Sequence, residues 1–255
     1  MRYLSLLLLV VFFSCKKECP KPECADVDLT KGLLAYYPFN GNANDESGNG
    51  NNGNLMNGVG FGTDLIGRNN KAASFDGMDD YIIVNDNGKL STPEVSVSAR
   101  VLLNNTFRRH SVFGRNNFSN ASAVVYGLGV SLDVTNKWEF GVGNAADDCA
   151  KPHVFDPSIY ATAPENLQAG RWYQIVCTFS KGEQKIYMDG VLKATLKRSF
   201  SDLKNCSAAS FIMGGWWQSD IISIDGKLDE VRVYNRVLSD CELKKLAETF
   251  INEAK

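Results

Sequence analysis

The chain has 255 residues, 44% of them hydrophobic and 22% charged, with a formal net charge of −2. That is enough apolar material for one large domain or two small ones, which excludes wholesale disorder. Lys and Arg are scattered apart from the pairs Lys16-Lys17 and Arg108-Arg109, so the basic field that phosphate recognition needs is missing and a nucleic-acid partner is excluded.

The first predicted element is an export signal. Arg2 supplies a short positive start, and residues 4–13 are apolar except for Ser5. The run is shorter than the roughly 20 residues a membrane span takes, and it suits a signal-peptide core. Phe12-Phe13-Ser14-Cys15 resembles a relaxed bacterial lipobox, with Cys15 as the acylated residue. The expected division is a signal peptide over 1–14, a polar tether with Pro20 and Pro22 over 15–31, and one domain over 32–255. The membrane is then met through N-terminal lipid alone. Lys16 after the cysteine differs from the Asp of inner-membrane retention, which points to the outer membrane of the cell envelope.

From Gly32 onward the pattern is β: short apolar or alternating runs between Gly, Asn and Asp clusters. Strands are predicted at 33–39, 72–75, 81–84, 95–103, 111–115, 124–132, 137–142, 172–179, 184–188, 191–196, 210–214 and 227–234. In the fourth, Val95, Val97, Ala99 and Val101 share a face. Asp189-Gly190 is a hairpin signal. The Asn-Gly tract at 40–58 reads as an ordered loop of turns, because Asn and Gly tolerate positive φ. Only 239–252 has helical character: Ser239 suits an N-cap, Glu242 a capping box, and Leu243, Leu246 and Ala247 share a face. Many strands with almost no helix exclude a βαβ architecture and leave two packed antiparallel sheets.

Seven cysteines are present. With Cys15 lipidated, six remain in an oxidising compartment, which favours disulfides. Cys149 and Cys206 both lie in polar loops and form the preferred bridge. Cys177 sits inside a strand and reads as buried. Two histidines and no Cys-x-x-Cys pair argue against zinc.

Four blocks carry a family resemblance: GLLAYYPFNGNANDESGNGNNGNLMNG (32–58), KAASFDGMDDYIIV (71–84), RWYQIVCTFSKGEQKIYMDGVLKA (171–194) and GKLDEVRVYNRVLSDCELKKL (226–246). In order, they resemble the LamG-like jelly-roll domain of the concanavalin A-like lectin/glucanase fold. The resemblance implies an all-β sandwich of two antiparallel sheets with a short C-terminal helix and adjacent chain ends. Cys241 can then meet Cys24 or Cys19. It also implies a structural calcium ion, carried over first to Asp45 and Asp229, with Asn40 and Asp80 behind them. The competing reading is an Asn-rich turn closed by its own hydrogen bonds, with Asp229 a surface acid.

Ligand candidates come from the residues themselves. Sugars offer C–H faces to aromatic rings and hydroxyls to polar side chains. Trp216 and Trp217 follow a strand, and as neighbours point to opposite sides, so one of them faces a ligand at most. Arg115-Asn116-Asn117-Phe118 is a second polar-aromatic cluster, in which Arg115 and Asn117 are the chosen contacts, and Tyr160 lies in a third, irregular stretch. Filling the core is the competing role for such rings. Glycoside hydrolysis needs two carboxyl groups facing one bond. The Glu-x-Asp-x-x-Glu run of laminarinase-like glucanases is absent, so no catalytic residue is assigned and an enzyme is not expected. The resulting expectation is a cell-envelope lipoprotein with a lectin-like domain that binds a glycan. The alternatives are a protein-binding adhesion domain or a divergent glycosidase.

Overall fold

A computed structural model describes residues 24, 26–85, 88–117, 123–130, 136–143, 157–217 and 221–255. The strands in chain order are β1 (Leu33–Tyr37), β2 (Asn54–Met56), β3 (Gly60–Gly62), β4 (Ala72–Asp76), β5 (Tyr81–Val84), β6 (Val95–Leu103), β7 (His110–Asn117), β8 (Ala123–Val130) and β9 (Trp138–Val142). They continue as β10 (Tyr160–Thr162), β11 (Trp172–Ser180), β12 (Glu183–Met188), β13 (Val191–Lys197), β14 (Ser210–Met213), β15 (Gly215–Trp217), β16 (Ile221–Ser223) and β17 (Asp225–Tyr234). One helix, α1 (Asp240–Glu253), closes the chain.

The strands form two antiparallel sheets, as the alternation implied. The first has the order β13-β12-β11-β6-β17-β4-β3, with β1 also paired to β17; the second has the order β10-β9-β8-β7-β14-β5-β2. Strand β17 serves two neighbours on one edge: Asp225–Leu228 pair with β4 and Val231–Tyr234 with β1. The switch falls at Glu230, whose φ of 53° makes a bulge where the register against β6 shifts. The β15–β16 hairpin stands off the second sheet, turned by Gly214 at φ 79°, where any Cβ would collide with the Phe75 ring.

The core lies between the sheets. From β6, Val95, Val97, Ala99, Val101 and Leu103 point inward and are wholly buried. Trp138, Phe140 and Val142 of β9 and Tyr126, Leu128 and Val130 of β8 meet them from the second sheet. Cys177 is buried in the same core as a free thiol, and burial pushes its pKa well up.

The other face of β6 carries Ser96, Ser98 and Arg100, and these too are buried: Ser96 is bonded to Arg236 O and Leu238 N just ahead of α1, Ser98 to Gln174, and Arg100 meets α1 itself. Ser239 and Glu242 form the capping box read from the sequence. Leu243 and Leu246 pack on Val176, Tyr234 and Leu238. Arg100 donates to Glu253 at 2.5 Å and lies 5.8 Å from the Phe250 ring centroid. Cys24 is disulfide-bonded to Cys241, which ties the start of the domain to the start of this helix across 217 positions.

Candidate functional site

The outer face of the second sheet is built differently. Cross-strand partners point the same way, and Trp138, Phe140, Tyr126, Leu128 and Phe113 face the core, so the residues between them face out. Register then aligns one outward row: Tyr160 (β10), Gly141 (β9), Gly127 (β8), Gly114 (β7), Ile212 (β14) and Ile83 (β5). Three glycines in register make a floor without side chains across three strands. With strands about 4.8 Å apart, that floor is roughly 10 Å wide from Gly141 to Gly114.

Its two ends are occupied. The Tyr160 ring lies over Gly141: a Cβ there would sit 2.5 Å from Tyr160 Cε1. The Asn116 amide lies against Gly114: a Cβ there would sit 3.0 Å from Nδ2. Glycine at both positions is the condition for these side chains to fold inward over the sheet. An aromatic ring and an amide thus bracket Gly127, with Glu139 in the next row of β9.

The rim near β15 holds the titratable groups. The 76–80 turn brings the carboxylates of Asp76, Asp79 and Asp80 within 4.8 Å of one another, a group able to hold a metal ion. Asp80 is 2% exposed and accepts from Gly58 N at 2.7 Å and Asp76 N at 3.0 Å; Asp76 and Asp79 are exposed. Beside this turn, His110 is buried and takes a hydrogen bond from Asp225 N on Nδ1 at 3.4 Å. Burial, then the Arg108 charge, lower its pKa to about 4, so it is neutral near pH 7. Asp225 is held by Asn104 Nδ2 at 2.7 Å and Asn105 Nδ2 at 2.5 Å. The tips of the two rim loops, Phe107 and Met78, are 88% and 69% exposed.

The residues singled out in the sequence are distributed as follows. Of the four expected calcium ligands, Asp80 belongs to the carboxylate group. Asp45 closes its own loop: Oδ1 accepts from Tyr36 N and Ser47 N and Oδ2 from Asn51 N, each at 2.9 Å. Asn40 Oδ1 accepts from Lys71 Nζ at 2.8 Å. Asp229 is no surface acid: it is 3% exposed, in register with Arg100 beside α1. Burial, then repulsion from Glu230, raise its pKa to about 7 against the pull of Arg100.

Arg115 is fully buried and shares the inward side with Phe211 and Tyr126, where Nη2 donates to Ala209 O at 3.4 Å. Asn117 ends β7 and is 5% exposed. The backbones of Trp216 and Trp217 pair with Ile222 and Ile221; their side chains lie outside the described part of the chain. Cys206 is disulfide-bonded, while Cys149 and the lipidation candidate Cys15 lie outside the described residues. Sequence reasoning did not single out Asn116 or the glycine row. Mid-strand glycines were a readable signal of close approach; their alignment across three strands was not.

Residues 75–244 match the laminin-G-type family model described as the concanavalin A-like lectin/glucanases superfamily, and the chain belongs to that superfamily. No curated protein sequence matches the chain. Among solved structures it resembles domain 4 of a GH43 extracellular arabinanase from Geobacillus stearothermophilus, in complex with arabinotriose (23% identity, 84% of this chain and 98% of that one, TM-score 0.64). It also resembles Trypanosoma rangeli sialidase in complex with sialic acid (14% identity, 88% and 34%, TM-score 0.59) and the botulinum neurotoxin serotype D binding domain (16% identity, 87% and 52%, TM-score 0.59). The chain therefore spans about a third of the sialidase and half of the toxin fragment, and what these likenesses share with it is the jelly-roll fold.

Proposed function

We propose that this protein is a cell-envelope lipoprotein whose jelly roll binds a glycan without catalysing a reaction. The observation that carries the reading is the in-register row Gly141-Gly127-Gly114, bracketed by the Tyr160 ring and the Asn116 amide. A floor without side chains admits a flat ring close to the backbone, an aromatic ring meets its C–H face, and an amide meets its hydroxyls. The arabinotriose bound to the arabinanase domain lends support. So does the point where the tether joins the domain: Cys24 is bonded to Cys241 at the start of α1, on the outside of the first sheet and away from the glycine floor.

Calcium belongs to this proposal at Asp76, Asp79 and Asp80. Hard cations take carboxylate and carbonyl oxygens, and an ion there pins the 76–80 turn with a structural role. A glycan array run with and without EDTA tests both parts: binding is expected, and EDTA is expected to lower thermal stability more than affinity. Released reducing ends from any polysaccharide overturn the non-catalytic reading. A mature N-terminus lacking acyl mass at Cys15 overturns the anchor.

One observation favours a second reading, an adhesion domain for protein. Phe107 and Met78 project from adjoining rim loops, a pattern suited to docking a protein surface. An empty array with retained binding to an extracellular protein, lost in Phe107→Ala, would select it.

A further inference from the structure

Which sugar the floor takes, given the glycan reading on which this rests, is set by the side chain at its end. Asn116 is 3% exposed, and among the described residues neither Nδ2 nor Oδ1 has a hydrogen-bond partner. A buried amide in that state has given up water for nothing, and native structures keep such groups where something else completes them. Its neighbours do not. Val124 opposite is apolar, and the Ser210 hydroxyl, on the other side, is turned to Asn85 Oδ1 at 3.4 Å. The amide is held instead against Gly114, at the end of the row that runs through Gly127 to Tyr160.

We propose that Asn116 is the specificity-determining residue of this face and that its amide, closed to solvent against Gly114 in this structure, turns off that glycine to hold a neutral sugar through two adjacent hydroxyls. One hydroxyl donates to Oδ1 and the other accepts from Nδ2, which is the pairing an amide's side-by-side acceptor and donor can satisfy. The charges nearby set the ligand's charge. Glu139 faces outward on β9, and the arginine of β7, Arg115, points the opposite way, so a carboxylate-bearing sugar meets the Glu139 charge beside the floor.

Titration calorimetry of the full mature chain tests this against arabinotriose, xylotriose, cellotriose and maltotriose, with trigalacturonic acid as the acidic probe. At least one neutral trisaccharide binds better than the acidic one. Asn116→Ala weakens it about tenfold or more, the loss expected for a hydrogen-bonded pair removed from a buried site. The unliganded variant melts at or above the wild type, because the group it lost was unsatisfied. In the wild type, the Asn116 side-chain NH2 resonance, assigned by its loss in Asn116→Ser, shifts on saturation with sugar; this readout stands even if the alanine variant does not fold. Unchanged affinity in the variant, a silent Asn116 resonance during binding, or preference for trigalacturonic acid overturns the inference and leaves the glycan reading in place. A panel in which nothing binds removes both.

Discussion

The outer faces of the two sheets follow the same alternation and reach opposite ends. On the first sheet, Ser96, Ser98 and Arg100 of β6 look like a solvent face, yet all three are buried, with the end of α1 packed on Arg100. Gln174 Nε2 donates to Ser98 Oγ at 2.8 Å, and Arg100 is spent on Glu253. Ser96, Ser98 and Gln174 are bonded within the molecule, while Arg100 Nε and the Tyr234 hydroxyl under the helix find no partner among the described residues. On the second sheet three outward positions in register are glycines, and Asn116 beside them is buried with both ends of its amide unmet. What separates the faces is what packs on them: helix side chains on the first, and on the second a row of aligned glycines with an unmet amide at its end.

Removing the cover breaks the contrast most severely. Leu246 is 4% exposed against the outer face of the first sheet. Leu246→Ala is expected to cost about 2–5 kcal/mol, a fall of about 5–15 °C in Tm by calorimetry, with sugar affinity at 20 °C unchanged. Next comes the clasp on the same helix: Cys24→Ser with Cys241→Ser is expected to lower stability by about 2–4 kcal/mol in urea unfolding, again sparing affinity. If either change abolishes binding at a temperature where the fold persists, the two faces are not independent.

The titrating groups sharpen the comparison, because they pull in opposite directions. Asp229, beside α1, has its folded pKa raised from 3.8 to about 7. The folded state then binds the extra proton, so this group's stabilisation is present at low pH and lost as pH rises from about 4 to 7. His110, at the rim, has its folded pKa lowered from 6.5 to about 4, so its contribution is present above pH 6.5 and lost as pH falls towards 4. In the wild type the two slopes offset. Asp229→Asn is expected to leave a protein whose Tm falls on acidification through this window, and His110→Asn one whose Tm rises; parallel curves for both would refute the assignment. The smallest effect is Tyr160→Ala, expected to weaken sugar binding about tenfold by loss of ring contact, with Tm within a few degrees of the wild type.

Much of the fold was legible. The β6 alternation, the Asp189-Gly190 hairpin and the Ser239–Glu242 capping box all lie within a few residues of chain, and local periodicity reports them directly. Strands β2, β3, β10, β15 and β16 were missed because each is three residues long, the first two within glycine-rich sequence. Of the site, Asp80 was read by position in the family's blocks, while Asp76 and Asp79 join it through a turn whose shape the order of residues did not disclose. Arg115 was chosen as a contact on its chemistry alone; the register against Phe211 and Tyr126 turns it inward. Asn116, one residue along, takes the outward side.

By itself the sequence determined the class of fold, one domain of packed β layers with a capped helix at its end, because apolar period and turn chemistry are local properties of the chain. Which outer face the helix packs on, and which carries the aligned glycine row, was decided only in three dimensions. That depends on strand register between β7, β8, β9 and β10 and on where α1 comes to rest, and a one-residue slip in register would exchange every inward side chain for an outward one.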